Sequence, residues 1–198
     1  MDSNPYAAPQ AEGYQSVVAP AGPGSCPLCG EIKLMKRAKR LYGHEVCPRC
    51  AHAFANRRQF AYAIDTALMI GAYYTTVFGI AGVAVQSQWT EEQFIQFQRI
   101  TSWVFGIVFV AKDSFSGYSL GKYLTGVRVI DARTGIPTGL KGSILRNLPL
   151  VIPFIPLVVA FTMMKGKRVG DGWAHTKVVW NRFADSEVFQ PNEAPAMG

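Results

Sequence analysis

Residues 59–86 read QFAYAIDTALMIGAYYTTVFGIAGVAVQ, and this stretch decides the fold class. It is long enough to cross a hydrocarbon core of about 30 Å as a helix, and it holds a single charged residue, Asp65. Such a run reads as a membrane span. Small residues recur at every fourth position, Ala63, Ala67, Gly71, Thr75 and Gly79, so another helix can approach closely along one stripe.

On the C-terminal side, the uncharged run from Ile100 to Ala111 is short, and a second span has to borrow length at both ends. A helix over about residues 92–115 reaches across if Arg99 snorkels outward, with Trp103 toward the outer side and the pair Lys112-Asp113 near the inner interface. The connection between the spans carries Glu91 and Glu92 and no base before Arg99. Arg57, Arg58, Lys122, Arg128, Arg133 and Lys141 lie on the other side, an asymmetry that predicts a cytoplasmic N-terminus in a cell (plasma or inner) membrane.

A third apolar stretch, residues 147–164, contains Pro149, Pro153 and Pro156, each of which removes a helical hydrogen bond. Bases flank it on both sides, Lys141 and Arg146 before, Lys165, Lys167 and Arg168 after. It reads as a Pro-broken hairpin that dips in and returns, with a plain third span as the alternative. Val127–Asp131 and Thr176–Trp180 have the β-branched enrichment of short strands and can pair only if both lie on the same side. The fold class expected is all-α transmembrane, with a minor strand pairing.

The chain is 49% hydrophobic and 17% charged with a net charge of +7, and the bases cluster beside the apolar runs. That arrangement belongs to membrane flanks, so the bilayer is the expected partner and nucleic acid is not. The first twenty-five residues lack a basic start and an apolar core, so a cleavable signal peptide is not expected there. Rich in Pro, Ala, Gly and Ser, residues 1–25 read as a disordered tail, and so do residues 183–198.

Upstream of the first span stand all four cysteines, in Cys26-Pro-Leu-Cys29 and Cys47-Pro-Arg-Cys50, with seventeen residues between the pairs. Two residues between cysteines let both sulfurs face one ion, and two such knuckles complete the tetrahedron of a four-thiolate zinc site. A disulfide or redox dithiol would need a different surrounding or an oxidising compartment. Residues 26–56 are therefore expected to form a cytoplasmic zinc ribbon in which Zn²⁺ is structural, since no ligand position is left open. The basic segment between the knuckles, with Lys33, Lys36, Arg37, Lys39 and Arg40, is either a docking surface for anionic lipid or protein, or a solvated face that sets topology.

Three segments of the membrane part carry a family resemblance. Arg57-Arg58-Gln-Phe-Ala-Tyr-Ala-Ile-Asp65, then Ser119-Leu-Gly-Lys-Tyr-Leu-Thr-Gly-Val-Arg-Val-Ile-Asp131, then Arg168-Val-Gly-Asp171 resemble, in order, the RDD family of membrane proteins, named for one arginine and two aspartates. The resemblance runs from about Arg57 to Asn181 and implies a membrane domain over residues 57–182. It maps the arginine onto Arg58 and the first aspartate onto Asp65. Asp171 is the first choice for the second, with Asp131 and Asp113 as the others. The resemblance implies a transport-like or membrane-accessory role, with small-cation/proton exchange the activity most often suggested for the family.

Arg58 and Asp65 are seven residues apart, share a helix face and lie about 10 Å apart along the axis. A carboxylate at that depth has to be paired, protonated or open to water. With Lys112, Asp113 and Arg146 it can form a polar cluster in which Asp65 takes a proton or a monovalent cation; alternatively it is salt-bridged and fixes how the spans pack. No nucleophile motif, phosphate-cradling loop or HExxH occurs, so catalysis is not expected. Two functions compete: small-cation/proton exchange by a homo-oligomer, and a non-transporting adaptor whose zinc head recruits a protein partner.

Overall fold

The computed structural model describes residues 24–32, 37–151 and 169–191. Strands β1 (Lys39–Leu41) and β2 (His44–Val46) form an antiparallel hairpin. Its two-residue turn has positive φ at both Tyr42 (52°) and Gly43 (95°). Glycine adopts that conformation freely and tyrosine does not. The Tyr42 ring stands edge-on to Phe54 and Phe189, and its hydroxyl accepts the Val178 N–H at 3.2 Å, contacts that hold the turn in place.

Helix α1 runs without a break from Pro48 to Gln86. Cys47 is its N-cap, with the thiol sulfur accepting the Cys50 N–H, and Pro48 takes the first turn, where a missing N–H costs nothing. The second cysteine knuckle is therefore the first turn of the same helix that becomes the first span. The boundary placed after residue 56 falls inside a continuous helix. At 1.5 Å per residue α1 is about 58 Å long, nearly twice a hydrocarbon core, so its first turns stand clear of the bilayer.

Helix α2 (Glu91–Ala111) opens with a reciprocal cap: Thr90 Oγ1 accepts the Gln93 N–H and the Gln93 side chain accepts the Thr90 N–H. Both α1 and α2 are long and apolar enough to cross a membrane. Phe78, Val85, Ile100, Trp103 and Ile107 point outward on them, a surface suited to hydrocarbon rather than water. The two pack through Tyr73, whose hydroxyl lies 3.1 Å from Ser102 Oγ and whose ring meets Phe105 edge-on.

The expected second span, 92–115, ends earlier than its C-terminal bound. Helix α4 (Leu140–Asn147) supplies the stop: Ser143 Oγ and Asn147 Nδ2 both donate to the Val110 carbonyl, and the Asp113 N–H donates to Ser143 Oγ. With those groups taken by side chains, the chain turns at Lys112–Ser114 instead of continuing as a helix.

Short helix α3 (Leu120–Thr125) lies across α1 and leads into β3 (Val127–Asp131). Strand β3 pairs antiparallel with β4 (Thr176–Trp180), Val127 opposite Trp180 and Asp131 opposite Thr176, the partnership the two sequences predict. A single turn of helix, α5 (Val169–Trp173), precedes β4. One apolar cluster joins Cys26, Leu28, Val46 and Phe54 of the head to Val127, Val179 and Trp180 of the sheet. Head and sheet thus share a core.

Residues 183–191, expected to belong to a disordered tail, are folded. Phe183, Val188 and Phe189 are buried in that shared core, Ser186 Oγ donates to the Pro27 carbonyl, and Phe189 packs on Phe54 with ring centroids 5.3 Å apart. Apolar contact with the head offsets the ordering cost that composition alone suggests is unmet. The third apolar stretch beyond Val151, residues 1–23 and residues 192–198 lie outside the described residues, as do the bases Lys33, Lys36, Lys165, Lys167 and Arg168.

Candidate functional site: a cysteine cluster and a buried chain of charges

The four cysteine sulfurs lie within 4.8 Å of one another. Sulfurs about 2.3 Å from a tetrahedral ion stand about 3.8 Å apart, and Cys29 Sγ is 3.6 Å from Cys47 Sγ. Backbone donors complete the cage: the Cys47 N–H points to Cys26 Sγ at 3.3 Å and the Cys50 N–H to Cys47 Sγ at 3.4 Å. Burial would raise the Cys26 thiol, but the N–H groups of Cys47, Cys29 and Leu28 outweigh it and bring its pKa down to about 7. Burial pushes Cys47 and Cys50 up, and for Cys50 the crowding of Cys47 and Cys29 sulfurs adds to it. Four thiolates cannot gather there without a cation between them. The donor set, spacing and backbone donors fit a metal ion, held at the positive end of α1.

A groove of 470 Å³ opens beside this cluster, lined by Leu28, Cys29, Arg49, Arg57, Trp180 and Phe183 among others. Arg57 stacks over the Trp180 ring at 4.9 Å and donates to the Thr125 carbonyl at 2.7 Å. The groove therefore has an apolar floor and an arginine rim.

Farther along α1, Arg58, Asp65, Lys112, Asp113, Arg146 and Asp171 join with Lys122 in one network. Arg58 Nη2 lies 3.3 Å from Asp171, and Asp171 lies 2.9 Å from Arg146 Nε. Arg146 is 3.9 Å from Asp113, which pairs closely with Lys122. Lys122 is 3.9 Å from Asp65, and Asp65 is 3.4 Å from Lys112. Base and acid alternate along the whole chain, from Arg58 to Lys112, and each member is buried or nearly so.

Asp65 does more than close ion pairs. Its two oxygens accept the Ser119 hydroxyl at 2.6 Å and the Gly121 N–H at 2.8 Å, so the carboxylate of α1 caps the N-terminus of α3. Gly121 makes this approach possible, because a Cβ there would sit 2.2 Å from the Ala61 carbonyl oxygen. Likewise a Cβ on Gly170 would sit 1.9 Å from the Arg146 carbonyl, which is how α5 brings Asp171 against α4.

Of the candidates for a second aspartate, Asp113 and Asp171 lie in the network. Asp131 does not; its side chain accepts the N–H groups of Arg133 and Thr134 and shapes the turn after β3. Lys122 is the member that sequence reasoning did not single out. A signal was present, since Ser119-Leu-Gly-Lys122 reads as a helix cap followed by a residue without a side chain and then a base.

Between these charges lies a cavity of about 20 Å³ lined by Arg58, Asp65, Lys112, Lys122 and Arg146, together with Ala61, Tyr62, Val127 and Val178. A space of that size holds about one water-sized guest.

A family model described as the RDD family matches residues 52–175. No curated protein and no solved structure matches the chain.

Proposed function

The chain belongs to the RDD family, and on that premise we propose that it is a non-enzymatic membrane adaptor whose zinc-organised head recruits a protein partner at the cytoplasmic face of the cell membrane. The observation that carries this reading is the continuity of α1, which starts as the second cysteine knuckle and ends as a span. A head fixed to a span in this way holds its groove at a set height and orientation above the bilayer. Zn²⁺ is the ion proposed, because four cysteines with no open position match its preference and leave it a structural role. The small-residue stripe Ala63, Ala67, Gly71, Thr75 and Gly79 faces outward, which supports assembly of the adaptor as a homo-oligomer.

The state of Asp65 supports the same reading. A carboxylate that caps one helix and faces two lysines acts as glue between α1, α3 and the end of α2. Exchange of a small cation for a proton is the second reading, favoured by the cavity that Asp65 lines. Proteoliposomes carrying the purified protein separate the two under an imposed Na⁺, Li⁺ or K⁺ gradient. The adaptor reading expects no proton flux above that of empty liposomes. Cation-dependent flux that disappears in Asp65→Asn would replace it with exchange.

A further inference from the structure

Helices α3 and α4 are built inside out. On α3 the buried residues are Gly121 and Lys122, with Ser119 buried at the cap, while Leu120, Tyr123 and Leu124 are 60%, 72% and 65% exposed. On α4 the buried residues are Ser143, Arg146 and Asn147, while Leu140, Ile144 and Leu145 face outward. In water the opposite sorting is the rule, because charged side chains are almost never fully buried and large apolar patches are covered. Hydrocarbon reverses it, since a polar group there is cheaper against another polar group than against acyl chains.

Both helices lie where the spans leave the hydrocarbon. From Gln86 back to Asp65 α1 rises about 32 Å, and from Glu91 to Ala111 α2 rises about 30 Å, each close to the thickness of one hydrocarbon core. The two counts meet at one level, since Lys112, next after Ala111, lies 3.4 Å from Asp65. Helix α3 is fixed to that level by Asp65, which accepts the Gly121 N–H, and α4 by Ser143 and Asn147, which donate to the Val110 carbonyl. The polar residues Gln93, Gln96 and Arg99 near the far end of α2 favour a far boundary closer to the head. That shift carries the near boundary past α3 rather than short of it. The outward faces of α3 and α4 thus extend the apolar surface that α1 and α2 present along the spans, where Phe78, Ile100 and Ile107 are exposed.

We infer that α3 and α4 lie in the membrane interface on the head's side, with Leu120, Tyr123, Leu124, Leu140, Ile144 and Leu145 seated among lipid acyl chains. The two helices form a ledge at the ends of the spans that neither crosses the bilayer nor stands in water. Tyr123 has a hydroxyl at the end of an apolar ring, and Lys141, exposed on α4, has a long stem that lets its ammonium reach the headgroups. On the opposite faces Lys122 and Arg146 both meet Asp113, so the ledge screens the charge network from lipid. The placement holds whether the head recruits a partner or the domain exchanges ions.

The full chain in nanodiscs, at one copy per disc, tests this with phosphatidylcholine and phosphatidylglycerol plus a trace of lipid bearing a diazirine in its acyl chain. Illumination is expected to leave lipid adducts on the peptides that carry residues 120–124 and 140–145, as on residues 66–86 of α1, and none on residues 39–46 of the head. Hydroxyl-radical oxidation of Tyr123 in the same discs should be several-fold slower than in the denaturant-unfolded chain. A side chain 72% exposed to water would be oxidised at nearly the unfolded rate. Fast oxidation of Tyr123 would overturn the placement, with or without adducts, because the face would then stand in water. Slow oxidation without adducts on residues 120–124 would also overturn it, and would mean that another part of the chain covers the face. Adducts on residues 120–124 but not on 140–145 would overturn it for α4 and leave α3 alone in the interface.

Discussion

Two regions hold the non-membrane end of this protein together, and they do so by opposite means. Around the head, Phe54, Trp180, Phe183, Val188 and Phe189 pack with the cysteine knuckles into one apolar cluster. One or two turns further along α1, seven alternating charges cross-link α1, the end of α2, α3, α4 and α5. The apolar core is cohesive by area, so losing one contact weakens it by a fraction. Each charge in the network is tolerable because of its neighbour, so losing one strands another. The first region should therefore degrade gradually except at its metal, and the second should fail at any link.

The largest effect expected is at the proposed metal site. Cys47→Ala removes a thiolate and the side-chain N-cap of α1 together. Structural zinc sites in small peptides are worth about 10–16 kcal/mol of apparent binding energy, more than most whole domains have to lose. The head and the packing of residues 183–191 on it should unfold, while α1 and α2 persist in the membrane. Limited proteolysis and the fluorescence of Trp180 would report this, and chelation of the wild type should reproduce it. Persistence of the head fold after full metal removal would mean that the aromatic core suffices alone.

Next comes Asp171→Leu, which leaves Arg58 and Arg146 facing each other without their shared carboxylate. Removing one partner of a buried pair costs about 3–5 kcal/mol. If the loss comes from the stranded charge, adding Arg58→Met should recover a large part of it, although one more interaction has been deleted. A double variant less stable than the single one would show that the network stabilises in its own right. Unfolding curves in detergent compare the three proteins directly.

Gly121→Ala should cost somewhat less, about 1–3 kcal/mol for an overpacked contact. Its Cβ would meet the Ala61 carbonyl oxygen and Asp65, forcing α3 off α1. Hydrogen exchange at the Gly121 amide position and along α3 should rise while exchange in the head stays unchanged. A disturbance that spread to the head would show that the two regions are coupled more tightly than their contacts indicate.

The same contrast governs what could be read from the sequence. Features set by local spacing were legible: the apolar run 59–86, the paired cysteines, and the β-branched segments 127–131 and 176–180. The membership of a polar grouping was legible in part, with Arg58, Asp65, Lys112, Asp113 and Arg146 noticed as charges beside apolar runs and Asp171 named only through the family resemblance. Its order was not, since Arg58 and Asp171 are 113 residues apart and meet only because Gly170 lets α5 lie against α4. Lys122 was hidden among the bases that set topology. The early end of α2 depends on Ser143 and Asn147 from a distant helix. The folded segment 183–191 shows too few apolar residues to announce itself, and its order comes from the head it covers.

The smallest effect that still separates the regions is Tyr42→Phe. The hydroxyl lies inside the apolar core, where burial pushes the phenol pKa up and keeps it protonated, and it accepts the Val178 N–H at 3.2 Å. The ring contacts with Phe54 and Phe189 do not involve the oxygen and survive the change. What is lost is one acceptor for a backbone donor at the centre of β4, worth about 1 kcal/mol. A Tm lowered by about 2–4 °C is expected for a chain of this size, with the head fold and metal content unchanged. A loss several times larger would mean that the hydroxyl, rather than the ring, holds residue 42 in its positive-φ turn. The apolar region would then contain a polar link as indispensable as those of the charged one.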